Sequence, residues 1–188
     1  VAHGYVAYRC GDPTAKMLGR LSLNPLHHLD PIGTACLVLF SFGWAKPVPV
    51  NPRNYRNYRK DDIAVSLAGI ATNFALFLIF YVVQFFLAKG LFVTYGGVTY
   101  WQNAAGYDQP LWYVYYFCQM FASLNLGLAV FNLLPIPPLD GYHVFNDIVL
   151  RGRLNLSPQA FEITRLILLV LMFTGALGSV LGFLTGGI

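Results

Sequence analysis

Charge is the scarcest commodity in this chain. Of its 188 residues only 11% are Asp, Glu, Lys or Arg, while 56% are hydrophobic. A soluble domain carries about 25% charged residues, so a water-facing globule is excluded and lipid is the alternative solvent. Cysteine is scarce too. The three cysteines, Cys10, Cys36 and Cys118, show no paired spacing. That argues against a disulfide framework and against a cysteine-based metal site. There is no internal repeat, no low-complexity tract and no visible signal peptide. The sequence opens on Val1 without a methionine, and residues upstream of it are expected.

Long apolar runs are plentiful. A membrane-spanning helix needs roughly 20 apolar residues. Residues 63–88, 111–139 and 166–188 meet that length. Residues 32–44 are apolar but short, the length of a re-entrant segment. Residues 1–9 read as the end of a helix entering from upstream, stopped by Gly11, Asp12 and Pro13. Residues 18–25 and the proline-alternating 45–50 suit short strands. The expected fold is therefore an all-α, multi-pass transmembrane bundle with short β-strands and one re-entrant segment near the cytoplasmic face. Residues 1–188 form a single core in this reading.

The charges orient it. If residues 32–44 dip in and return, then Arg9, Lys16, Arg20, Lys46, Arg53, Arg56, Arg59, Lys60, Arg151, Arg153 and Arg165 share one side, leaving Lys89 on the other. Positive loops mark the cytoplasmic face, which gives a multi-pass cell-membrane protein with cytoplasmic basic loops. The net charge of +4 then calls for no nucleic acid. The stretch Tyr55-Arg56-Asn57-Tyr58-Arg59-Lys60 is better matched to anionic headgroups. The lipid bilayer is the expected partner.

Ionisable residues near lipid are functional candidates, because keeping them there is costly. Asp140 closes the run Asn132-Leu-Leu-Pro-Ile-Pro-Pro-Leu-Asp140-Gly141, whose three prolines forbid a regular helix. Broken backbone at membrane depth survives where it lines a cavity or is packed in protein. Asn132 and Asp140 are thus expected near a cavity, although a capping Asp at the water interface fits the composition equally well. His3 lies on the incoming helix at a similar depth. Taken alone, a helical histidine is more often structural than a ligand. Zinc nonetheless takes imidazole and carboxylate ligands.

Several segments together resemble the site-2 protease family of membrane metalloproteases, in its compact form without a PDZ domain. Val1-Ala2-His3 and the following residues to Pro13 look like the end of an H-E-x-x-H helix. Gly19 to Pro25, His28 to Gly33 and Phe42 to Pro52 look like the family's linking region. Leu67-Ala-Gly-Ile-Ala-Thr-Asn73 is similar to its A-G-P-x-x-N helix, with Ile70 at the proline position. Asn132 to Gly141 matches N-x-x-P-x-P-P-L-D-G. The resemblance implies a Zn2+-dependent intramembrane endopeptidase acting on proteins with a transmembrane helix. It implies that His3 and Asp140 are zinc ligands and that Asn132 contacts the oxyanion or the scissile carbonyl. The first His and the Glu of the motif would lie before Val1, so this chain is read as a fragment lacking part of the catalytic set. A non-catalytic homologue that binds membrane helices is the alternative. A small transporter ranks behind both, because only one strongly broken span is present.

Overall fold

The computed structural model of the protein describes residues 1–40, 45–46, 48–95, 98–101, 109–154 and 156–173. Seven α-helices account for most of them: α1 (Ala2–Cys10), α2 (Thr14–Met17), α3 (Pro31–Phe40), α4 (Tyr58–Leu91), α5 (Gln109–Leu133), α6 (Asp140–Ile148) and α7 (Pro158–Phe173). Two short strands, β1 (Phe92–Tyr95) and β2 (Val98–Trp101), pair antiparallel between α4 and α5. The chain divides into two compact units. The first comprises Val1–Gly69 with Asp140–Ser157, and the second Ile70–Leu139 with Pro158–Ile188.

In the first unit, each helix boundary follows from local chemistry. α1 ends at Gly11, whose φ of 110° belongs to the left-handed region that favours glycine. The following N–H of Asp12 returns to the Ala7 carbonyl at 2.9 Å. The Asp12 side chain is fully buried and gathers the next segments. It accepts from the Asn51 N–H at 2.7 Å, the Asn54 amide at 2.8 Å, the Thr14 N–H at 3.1 Å and the Thr14 hydroxyl. The Cys10 carbonyl accepts from the Arg56 N–H at 3.1 Å, closing the loop back onto α1. α3 starts where Asp30 accepts from the Ile32 and Gly33 N–H groups at 3.0 and 2.9 Å, with Pro31 in the first turn. α4 starts where Asp61 accepts from the Asn57 N–H at 2.8 Å. A carboxylate there also suits the positive end of the helix dipole.

The strands differ from the sequence expectation. Residues 18–21 form a turn, with Gly19 at a left-handed φ of 66°, residues 22–24 have no regular structure, and a 3₁₀ turn starts at Pro25, so no strand forms here. In the segment 45–50 a single antiparallel bridge joins Ala45 to Leu29, and the Lys46 N–H donates to the His28 carbonyl at 2.8 Å. Pro47 lies outside the described residues. A strand needs a neighbour along its length, and prolines remove the donors that would make one. The hairpin β1–β2 instead forms where Val, Thr and Tyr cluster, the residues that suit a pleated surface.

Among the described residues, two helices are long and apolar enough to cross a membrane: Tyr58–Leu91, and Pro110–Leu133 within α5. At 10 residues, α3 extends only about 15 Å, half the thickness of a hydrocarbon core. In the second unit, Phe80 packs on Phe117 and Phe121, with ring centroids 6.1 and 4.4 Å away. Elsewhere on α4 the large side chains Phe74, Ile79, Phe86 and Val82 are exposed. An apolar surface of that extent is stable against lipid and not against water. The expected span 166–188 is described only as far as Phe173, and its remainder lies outside the described residues.

Candidate metal centre

His3 sits in the first turn of α1. Its neighbour Gly4 is buried, and a Cβ there would lie 2.8 Å from Val48 Cγ1 and 3.0 Å from Ala15 Cβ. α1 therefore runs against the 48–50 segment at closest approach, which fixes where His3 enters. The imidazole is then oriented by α4. Nδ1 lies 2.8 Å from the Val65 carbonyl oxygen. That oxygen can only accept, so in the neutral ring Nδ1 carries the hydrogen and Nε2 presents its lone pair. A ligating histidine is commonly held this way, by its other nitrogen.

Nε2 faces Asp140. The distance to Asp140 Oδ2 is 3.5 Å, with both side chains partly exposed. A charge-assisted hydrogen bond would be about 2.7–2.9 Å, so the two groups stand too far apart for a good one. Two ligands about 2.0–2.2 Å from one tetrahedral zinc are roughly 3.3–3.5 Å from each other. The observed separation fits two corners of such a site. Asp140 is the first residue of α6, directly after the proline-broken segment. Burial raises its carboxyl above the usual range. His3 and then His143 pull it back only in part.

Among the described residues, no group of three His, Cys, Asp or Glu side chains is placed to hold a metal by itself. His3 and Asp140 present two candidate ligand atoms. His143, one turn along α6, turns away toward α4, where its Nδ1 lies 3.1 Å from Asp62 Oδ2. That hydrogen bond raises the His143 pKa, against the opposing effect of burial. Asp147 follows on the same helix. Burial and then Asp62 raise its carboxyl, and its Oδ2 has no hydrogen-bond partner among the described residues. Tyr142 donates to the Leu154 carbonyl at 2.8 Å and ties α6 to the loop after it.

Asn132 lies in the last turn of α5, half-buried. It belongs to the second unit, whereas His3, Val65, Gly69 and Asp140 all belong to the first. Sequence reasoning missed Val65 and Gly69. A valine contributes here through its backbone oxygen, which leaves no mark in the sequence. The glycine was visible as part of a motif, without a reason for it.

The profile of peptidase family M50 matches residues 2–175. The chain belongs to peptidase family M50, the site-2 protease family. Among its relatives is YwhC of Bacillus subtilis (strain 168), named provisionally as a zinc metalloprotease. The two are 43% identical over 174 residues, which is 93% of this chain and 74% of YwhC. Rip2 of Mycolicibacterium smegmatis (strain ATCC 700084 / mc(2)155), named in the same provisional way, is 28% identical over 183 residues. That match covers 93% of this chain and 62% of Rip2, so the chain spans less than two thirds of that relative. No solved structure matches the chain significantly.

Proposed function

We propose that this M50 chain is the core of a zinc-dependent intramembrane endopeptidase that cleaves transmembrane segments of other membrane proteins. The observation that carries this reading is the 3.5 Å approach of His3 Nε2 to Asp140 Oδ2, with His3 Nδ1 engaged by the Val65 carbonyl. Two acceptors are turned toward each other across a gap of ligand–ligand size. The names of YwhC and Rip2 supply the metal.

In this reading His3 and Asp140 are two of the protein ligands. Bound zinc supplies an activated water and polarises the scissile carbonyl. Asn132 donates a hydrogen bond to the oxygen that gains charge during attack. A helical substrate hides its peptide bonds and must unwind before it is cut. Ala45, which among the described residues bridges to Leu29, lies where an unwound segment can add as a strand. α3 is re-entrant, and the basic loops on either side of it are cytoplasmic.

The test uses the protein expressed from its complete reading frame and purified in detergent. Zinc content and cleavage of a membrane-embedded reporter are measured together. The native protein is expected to hold about one zinc and to cut. Asp140→Ala is expected to lose both, because one removed ligand opens the site. A native protein that binds no zinc would defeat the proposal. Stoichiometric zinc in Asp140→Ala would remove Asp140 from the ligand set.

A further inference from the structure

Glycine inside a helix is destabilising by about 1 kcal/mol relative to alanine, so its presence at Gly69 in the middle of α4 calls for a reason. Gly69 is buried, and its backbone is not in the left-handed region where glycine is required. Conformation therefore does not explain it. Space does. A Cβ built on Gly69 would overlap Nε2 and Cε1 of the His3 ring and would stand 3.2 Å from Asp140 Oδ2. By contrast, Gly90 in α4 and Gly127 in α5 have no described atom within 4 Å of such a Cβ.

Val65 and Gly69 are four residues apart on α4 and so share one helix face. The carbonyl of the first accepts from the His3 ring, and the bare backbone of the second leaves room for the far edge of the same ring. We propose that Gly69 is a positioning residue of the metal centre. Its missing side chain is the space that lets His3 turn Nε2 toward Asp140 while Nδ1 stays on the Val65 carbonyl. α4 thereby sets the direction of one proposed ligand. With a methyl group at position 69, the ring must rotate off Val65 or withdraw from Asp140, and either movement separates the two ligand atoms. This inference rests on the zinc reading above and adds the residue that determines how His3 is presented.

The experiment is a double-mutant cycle on the protein from its complete reading frame, read by zinc affinity in chelator competition and by the melting temperature of the metal-free protein. Gly69→Ala is expected to weaken zinc binding by roughly 10–100-fold, the usual effect of disturbing the partner that orients a ligand. Its metal-free melting temperature should equal or exceed that of the native protein, since alanine favours the helix. Gly127→Ala should leave zinc affinity unchanged. In a His3→Cys background, the shorter thiolate still ligates zinc and leaves the contested space empty. There Gly69→Ala should cost less than about 3-fold, so the two substitutions are strongly coupled. A general packing defect would weaken both backgrounds alike. Native-like zinc affinity in Gly69→Ala overturns the inference while leaving the zinc reading intact. Equal losses in the two backgrounds also overturn it. A native protein without zinc defeats both proposals together.

Discussion

At the scale of single residues, one heavily engaged polar group lies outside the candidate metal centre. Asp12 is fully buried and accepts hydrogen bonds from three residues. Burial by itself would raise its carboxyl. The donated bonds, led by the Asn51 N–H, hold it below the ordinary value instead. The sign of the consequence follows. A carboxyl depressed in the folded state adds stability that is fully present above the unfolded value of about 3.9 and is lost as pH falls through the folded value below it. The native protein should therefore lose melting temperature steeply below about pH 4. Asp12→Ala should remove that dependence and should cost roughly 2–4 kcal/mol at neutral pH by stranding buried donors. Melting curves of both proteins between acid and neutral pH check this. Parallel pH profiles would show that Asp12 is not the group responsible.

At the scale of elements, the junction between α5 and α6 concentrates the chemistry. Leu134 to Leu139 follow no regular helix. Pro135, Pro137 and Pro138 withhold donors, and short local bonds such as Leu139 N–H to the Ile136 carbonyl at 2.9 Å replace the helical ladder. The break lets α5 end with Asn132 in its last turn and α6 begin with Asp140. Under the proposed function these two residues have separable roles. Asn132→Ala should keep its zinc and slow cleavage by roughly 10²–10³, the cost of one lost oxyanion donor. Zinc content and reporter turnover, measured on the same preparation, decide it. Loss of zinc from Asn132→Ala would make Asn132 a support of the metal site and end its assignment to the oxyanion.

At the scale of the whole molecule, the issue is which side each loop occupies. α3 is capped by Asp30 and has 10 described residues, where a spanning helix needs roughly 20, and under the proposed function it is re-entrant. Arg20 precedes it and Arg53 follows it, both within the first compact unit. With the three native cysteines replaced, Arg20→Cys and Arg53→Cys should therefore react with an impermeant maleimide from the same face of sealed vesicles, the cytoplasmic one. Labelling from opposite faces would mean that the 32–44 segment crosses, and the re-entrant assignment would fall.

The membrane class, the two described spans, the proline break and the candidate residues His3, Asn132 and Asp140 were legible in the sequence for a common reason. Each depends on composition over a window or on a residue type at a fixed spacing, and lipid amplifies both signals by penalising stray charge and unpaired backbone. The strands were not legible. A strand exists only through a partner, so residues 18–25 and 45–50 carried a local pattern that forms no strand among the described residues, while β1 and β2 pair with each other. The metal centre divides in the same way. Sequence supplied an imidazole and a carboxylate far apart along the chain. Only the tertiary structure brought the Val65 carbonyl to one ring nitrogen, aimed the other at Asp140 across 3.5 Å, and gave Gly69 its reason. A backbone oxygen and an absent side chain have no sequence signal of their own, because their meaning lies in what another helix places against them.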